Sequence, residues 1–242
     1  MAGGLWLGVV RHGESTANVA AKSADRDRLD VFDVAEREAD VPLSELGRRQ
    51  AESLGRRLAE WPAAERPDLV VTSPFRRARE TAEIAMDGLD VPRRTDERLR
   101  DRDLGAFDLH TAQGIRTEFP VEAERRHRHG KFYYRPPGGE SWTDVALRLR
   151  AVIREIEQDD PEARVLLFAH DVVVSLVRYV LEDLDEPTLM QDVARTPIGN
   201  ASLSSWVRVE REWHRETFND VTHLQADDDA RPTAEEPADA PS

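Results

Sequence analysis

The chain has 242 residues, 39% of them hydrophobic and 34% charged, and a formal net charge of −14. That length and apolar content suit one sizeable α/β domain with a well-buried core, and the negative charge gives no electrostatic case for nucleic acid or an anionic membrane. Cysteine is absent, which excludes disulfides and thiolate metal sites; no apolar run reaches membrane-spanning length and no signal-peptide pattern opens the chain, so a cytoplasmic location is the default expectation.

The first element is a short apolar run, Leu5 to Val10, that ends abruptly in Arg11-His12-Gly13-Glu14-Ser15. It reads as a buried strand followed by a loop at its C-terminal edge, the edge where open α/β sheets bind ligands. Residues 19–41 are polar, charge-mixed and weakly periodic, which predicts an inserted surface loop with at most one helical turn. Pro42 to Gly47 opens a helix with Ser44 as its N-cap; Leu43, Gly47, Ala51, Leu54, Leu58 and Trp61 share its apolar face, and Pro62 ends it.

Leu69 to Thr72 is a short buried strand. Ser73-Pro74-Phe75-Arg76-Arg77-Ala78-Arg79-Glu80-Thr81-Ala82 starts another helix, with Pro74 suited to the first turn. Val91 to Glu97 reads as a connection holding a short strand, and Leu99 to Phe107 as a charged loop. A cap follows over about 106–141, Arg-rich and ending in Phe132-Tyr133-Tyr134 and the turn Pro136 to Ser141. Asp144 to Ile156 is a helix, with Val145, Leu149, Val152 and Ile156 on one face. Arg164 to Ala169 is the most strand-like run, and it too ends in a histidine, His170. A helix over about 172–181 and a hairpin of Ser202–Val209 with Trp213–Phe218 complete the domain, about residues 1–224. The segment 225–242 is acidic and rich in Pro and Ala, which predicts a disordered tail. Strands alternating with helices argue an α/β fold with a mostly parallel sheet covered on both faces.

The chemistry concentrates at His12. A neutral imidazole nitrogen can attack phosphorus, the guanidinium of Arg11 can hold phosphoryl oxygens in a fork, and Gly13 lets the backbone come close. Such a site needs one ring nitrogen free and the other held by a hydrogen bond. The remaining histidines, His110, His127, His129, His214 and His223, show no metal-ligand spacing, so no metal and no other cofactor are expected.

Val9-Val10-Arg11-His12-Gly13-Glu14-Ser15-Thr16-Ala17-Asn18, the Leu43-Ser44-Glu45-Leu46-Gly47 block, Arg77-Ala78-x-x-Thr81-Ala82 and the strand ending in His170 resemble, in order, the signature blocks of the histidine phosphatase superfamily. That group includes the cofactor-dependent phosphoglycerate mutases, and the resemblance spans about residues 5–224. It implies a three-layer α/β/α sandwich with a small cap. It also implies a phosphohistidine intermediate on His12, a clamp of Arg11 and Arg77, and His170 opposite His12. Asn18 would add a neutral donor, with Ser15 and Glu14 on the same turn. Lys131, Arg135, Tyr133 and Tyr134 flank the Pro-Pro-Gly-Gly turn and are candidates for the mouth of the pocket.

The leaving alkoxide needs a proton. The group's usual pattern, Leu-Arg-Glu-x-x-x-Gly, becomes Leu99-Arg100-Asp101-Arg102-Asp103-Leu104-Gly105 here, so Asp101 takes the acid position with a side chain one methylene shorter. Asp171, directly after His170, is a second candidate, as in the acid phosphatase branch; its structural alternative is the N-cap of the following helix. The expected activity is metal-independent hydrolysis of a small phosphorylated substrate. A phosphoglycerate mutase is the first alternative, disfavoured because Arg-Asp-Arg-Asp-Leu-Gly replaces the mutase pattern Asn-Glu-Arg-His-Tyr-Gly. A binding module without turnover is the second. The sequence allows a homodimer without requiring one.

Overall fold

A computed structural model describes residues 4–225 and 228–234. Its centre is a six-stranded sheet in the order β3-β2-β4-β1-β5-β6. These strands are β1 (Trp6–Arg11), β2 (Leu69–Thr72), β3 (Arg93–Thr95), β4 (Arg164–Ala169), β5 (Leu203–Val209) and β6 (Glu212–Asp220). β3, β2, β4 and β1 run parallel, while β5 and β6 form an antiparallel hairpin against β1. The sheet is therefore mixed, with a parallel core.

Alternation along β1 and β4 assigns their side chains to two cores. Leu7, Val9, Val165 and Leu167 pack against α6 (Trp142–Asp159) and α7 (Asp171–Leu181). Trp6, Val10, Leu166 and Phe168 pack against α2 (Glu45–Ala59) and α3 (Arg76–Ala85) on the other face. Strands buried on both faces read as unbroken apolar runs, which is how both are written in the sequence. The result is the three-layer α/β/α sandwich. The cap, α4 (Ala112–Glu118) and α5 (Pro120–His129), has its own small core of Phe107, Ile115 and Tyr134, with Phe119 packed on it.

Several boundaries differ from expectation. The stretch expected to be a loop from residue 19 begins as α1, Thr16–Asp27. Ser15 and Asn18 start it as a reciprocal capping box, and it buries only Ala24, so it carries no apolar stripe to announce it. Pro74 lies ahead of α3, which begins at Arg76. Asp171 is the first residue of α7 and not its cap; His170 occupies the N-cap position without a side-chain capping bond. α8 (Glu186–Arg195) was not expected, although Asp185 accepting from the Thr188 amide and Pro187 in the first turn are ordinary start signals.

The expected disordered tail is ordered in part. Residues 228–234 lie against α2: Gln50 donates to the Arg231 carbonyl at 3.0 Å and to Thr233 Oγ1 at 2.9 Å. The amide of Asn200 donates to the Thr233 carbonyl at 2.7 Å. Residues 226–227 and 235–242 of that segment lie outside the described residues.

Candidate active site

Arg11↔Ala169 is the last pair of the parallel β1–β4 ladder, so the two chains release His12 and His170 side by side at the C-terminal edge. The His12 amide continues the ladder to the Ala169 carbonyl at 2.9 Å. The two rings stand 5.2 Å apart, centroid to centroid, with planes at 63°. Nδ1 of His12 lies 2.7 Å from the Gly13 carbonyl oxygen. A carbonyl can only accept, so Nδ1 carries the proton and Nε2 is left with its lone pair. Burial, then the charges of Arg77, His170 and Arg11, hold His12 well below the usual imidazole range against the Gly13 bond that raises it. The ring is therefore neutral at pH 7, the form that can attack phosphorus.

The loop after β1 is fixed from several sides. Gly13 and Gly47 pass so closely that a Cβ on Gly13 would sit 2.5 Å from the Gly47 carbonyl oxygen. This contact explains why the first turn of α2 follows the loop as closely as it does: glycine on both sides is a steric requirement. The Gly13 amide donates to Thr81 Oγ1 at 3.0 Å and the Glu14 amide to Gln50 Oε1 at 2.8 Å. The His12 carbonyl accepts from the Ala201 amide at 3.1 Å and from Asn200 Nδ2 at 3.2 Å.

Arg11 is buried and donates through Nη1 to the Ile198 carbonyl. Arg77, near the start of α3, donates through Nη2 to Asp101 Oδ2 at 2.8 Å and through Nη1 to the Glu38 carbonyl at 2.9 Å. His170 is fully buried, with Nε2 2.8 Å from Ser73 Oγ and Nδ1 3.2 Å from Asp101 Oδ2. Burial lowers the His170 pKa against the charge of Asp101. Asp101 also accepts from the Arg102 amide at 2.9 Å. Burial alone would raise its pKa, but His170, Arg77 and His12 together hold it well below the ordinary carboxylate range. The backbone here is clamped by α6, where Arg148 Nη2 donates to the Asp101 carbonyl at 3.1 Å and to Glu140 at 3.1 Å.

His12, Arg11, Arg77, His170 and Asp101 thus converge. The substrate-binding candidates divide. Ser15 spends its hydroxyl on capping α1, and Asn18 Oδ1 accepts from the Ser15 amide at 2.9 Å. Glu14 accepts from Ser44 Oγ at 2.8 Å, joining the loop to the α2 cap. Asp171 lines a cleft of about 270 Å³ together with Asp101, Arg102, Lys131, Trp142 and Ile198. Arg135 is 63% exposed and ion-paired with Asp144 in the first turn of α6. Tyr134 packs in the cap core and donates to Glu122 at 2.8 Å, whereas Tyr133 is exposed.

The residues that sequence reasoning missed are Glu38, Ser73, Gln50 and Asn200. Glu38 lines the same cleft as Asp101. Its loop carried no signal beyond polarity, and Asn200 and Gln50 reach the His12 loop only through tertiary packing. Among the described residues no group of three His, Asp or Glu side chains is placed to hold a metal ion. No helix there is long and apolar enough to cross a membrane.

Residues 7–221 match the family model of the histidine phosphatase superfamily, branch 1. The chain is 28% identical over 216 residues to PhoE of Bacillus subtilis, described as an uncharacterized phosphatase, covering 89% of this chain and 95% of that protein. It is 30% identical over 220 residues to the glucosyl-3-phosphoglycerate phosphatase of Mycobacterium tuberculosis, covering 86% of each. The solved structure of mycobacterial glucosyl-3-phosphoglycerate phosphatase with VO3 matches at a TM-score of 0.69 and 28% identity, covering 88% of this chain and 98% of that one.

Proposed function

Since this chain belongs to branch 1 of the histidine phosphatase superfamily and is a phosphatase of that group, we propose that it hydrolyses a small phosphorylated metabolite, without a metal ion, through a phosphohistidine on His12. The observation that carries this reading is the state of the His12 ring. Its Nδ1 is held by the Gly13 carbonyl, its basicity is suppressed, and Arg11 and Arg77 stand beside it. Phosphoryl transfer depends mainly on positioning and on spreading charge over the equatorial oxygens.

In the first step Nε2 attacks phosphorus, the P–O bond to the leaving group breaks, and the guanidinium groups hold the phosphoryl oxygens. The departing oxygen takes its proton from Asp101, the carboxyl group at the acid position, whose ionised form Arg77 ceases to hold once the phosphoryl group occupies that guanidinium. In the second step water attacks the phosphohistidine, the P–N bond breaks, and phosphate leaves. Asp101 also orients His170. Support for a phosphoryl pocket comes from the mycobacterial phosphatase solved with VO3. Support for a metabolite-sized substrate comes from the cleft of about 270 Å³ that Asp101 lines and His12, Arg11, Arg77 and His170 do not; its volume falls just below the range for small-molecule pockets.

The test is a hydrolysis screen over sugar phosphates, phosphoglycerate derivatives and nucleotides with chelator present. It is paired with acid-labile phosphate trapping on the enzyme during turnover. Phosphate release with label on His12 is expected. Activity that disappears with chelator would overturn the metal-independent mechanism. Label that passes to 3-phosphoglycerate faster than to water would make the chain a mutase.

A further inference from the structure

Asp101 is held at both ends. Its carboxylate meets Arg77 and His170 in the site, and its backbone is held by one ion pair. Arg148, on α6, donates through Nη2 to the Asp101 carbonyl at 3.1 Å and through Nη1 to the Arg98 carbonyl. The same guanidinium meets Glu140 in a fork, Nε to Oε1 and Nη2 to Oε2, both at 3.1 Å. Glu140 accepts in turn from Arg100 Nη2 at 2.6 Å and from the Asp103 amide at 3.2 Å. Its own amide donates to the Asp103 carbonyl at 2.8 Å. Arg98, Arg100, Asp101 and Asp103 are thus all tied to a single pair, whose side chains are only 10% and 14% exposed.

The Pro136–Ser141 turn that carries Glu140 is locked to the same loop. A Cβ on Gly139 would stand 2.5 Å from the Asp103 carbonyl oxygen, and one on Gly105, at φ +54°, 2.3 Å from the Pro137 carbonyl oxygen. The Ala106 amide donates to that Pro137 carbonyl at 2.9 Å. The glycines of the turn and of the loop therefore serve a close approach of two backbones, and α6 follows directly from the turn. Substrate binding removes one of the two anchorages. Once a phosphoryl group occupies Arg77, the contact of that arginine with Asp101 Oδ2 gives way. The carboxyl group must then stand within hydrogen-bond reach of the leaving oxygen. Aspartate has fewer side-chain torsions than the glutamate usual at this position, so its carboxyl group follows its backbone closely. The backbone anchorage is the part that the phosphoryl group leaves in place.

We propose that Arg148 and Glu140 are positioning residues for the general acid: the pair sets where the Asp101 carboxyl group stands when the leaving group departs. Neither exchanges a proton with the substrate. Both act through the Asp101 backbone, Arg148 directly and Glu140 by holding Arg148 and the Asp103 amide. This deepens the phosphatase reading and rests on it. A misplacement of about 1 Å at a reacting group can cost on the order of 10² in rate, so loosening the pair should reach the chemistry without touching the phosphoryl clamp.

The experiment measures kcat/KM, which reports the step that expels the leaving group, on an alkyl phosphate and on p-nitrophenyl phosphate. Glu140→Gln, Arg148→Met and Arg148→Lys are each made in the wild-type chain and in Asp101→Asn. Glu140→Gln and Arg148→Met should lose roughly 10–10² on the alkyl ester and far less on the aryl ester, whose leaving group departs with little help. The aryl ester also reports that a variant is folded; where a stranded buried carboxylate unfolds Arg148→Met, Glu140→Gln carries the comparison. Arg148→Lys, which keeps the charge and a donor, should restore part of the alkyl-ester rate. In Asp101→Asn the acid is already gone, so the same substitutions should change that rate by no more than about twofold. A pair that is merely structural would slow both esters alike, and by the same factor in both backgrounds. That result overturns the proposal, as does no loss in any variant. If Asp101→Asn itself slows the two esters equally, Asp101 is not the acid and the proposal falls with it; phosphate trapped on His12 would then leave the phosphatase reading standing. Absence of hydrolysis by the wild type overturns both.

Discussion

Nη2 of Arg77 lies 2.8 Å from Oδ2 of Asp101, so the guanidinium that would grip a phosphoryl oxygen is already partnered by a carboxylate of the same protein. An incoming anion competes with that carboxylate for Arg77. The competition lowers affinity for anything that binds only as an anion, inorganic phosphate included. Asp101→Asn removes the charge and keeps the size. It should bind inorganic phosphate and vanadate several-fold more tightly while lowering kcat, because His170 loses its charged partner at Nδ1. Inhibition constants for phosphate, measured beside kcat on the same ester, check both signs. Weaker phosphate inhibition in the variant would mean that Asp101 aids anion binding.

His12→Ala should abolish turnover and leave the fold standing. The side chain makes one hydrogen bond, to its neighbour Gly13, and the loop is held independently through the His12 carbonyl and the Gly13 and Glu14 amides. The stability cost should stay near 1–2 kcal/mol, as for a buried group lost from a site that can admit water. Turnover, phosphate trapping and a urea melt on the same preparation check this. Label that persists in the variant would place the nucleophile elsewhere.

The two strands that carry the histidines were legible because burial on both faces writes an apolar run, and β4 was expected over the residues it occupies. α2 and α6 were legible through their buried stripes. α1 was not, because a helix that buries only Ala24 has no periodicity to read. At the site, His12, Arg77 and His170 stand in ordered blocks next to strand ends and helix starts. Glu38, Gln50 and Asn200 do not. Asn200 donates to a carbonyl 188 positions away in sequence, a relation that exists only once β5 has paired with β1. The pairing of Arg135 with Asp144 was unreadable for the converse reason: proximity in sequence to the turn says nothing about which way a side chain leaves it.

Acid should destabilise the fold before the carboxylates titrate. The folded pKa values of His12 and His170 are lowered, and burial and then Arg57 push His223 to about 4. The unfolded chain takes up these protons near 6.5, so it binds more of them than the native state does below that pH. The stabilisation is complete above about 6.5 and is lost as pH falls from there toward about 4. His223 alone accounts for on the order of 3 kcal/mol across that window. Urea midpoints at pH 7 and pH 5 should separate in the wild type and lie closer together in His223→Gln, the remaining gap coming from His12 and His170. An unchanged separation would assign the acid sensitivity to other groups.

Glu38 should act with the opposite sign. Its folded pKa is raised to about 7 above an unfolded value near 4.3, so the native state holds the extra proton between those limits. The stabilisation from that proton is present at low pH and is lost as pH rises through the folded value. Glu38→Gln should therefore raise the urea midpoint more at pH 8 than at pH 5. A variant no more stable than the wild type at pH 8 would show that Glu38 is ionised at little cost.

The segment 228–234 lies beyond the residues 7–221 that match the superfamily model, yet it braces the His12 loop through two intermediaries. Thr233 donates to Asn200 Oδ1 at 3.0 Å and accepts from Gln50 Nε2 at 2.9 Å. Those two side chains in turn reach the His12 carbonyl and the Glu14 amide. Gln50 and Asn200 are both buried, so removing their partners leaves polar groups to be satisfied by water entering behind the loop. A chain ending at residue 227 should lose about 2–4 kcal/mol, at roughly 0.5–1.5 kcal/mol for each net hydrogen bond. Its kcat should fall as well, because the loop that carries His12 loses the partners of two side chains that hold it. Thr233→Ala, which keeps the backbone bond from the Asn200 amide, should show a smaller loss of both. Urea unfolding and kcat of the two variants check the order. A truncated chain as stable and as active as the full one would mean that the strap follows the loop and does not hold it.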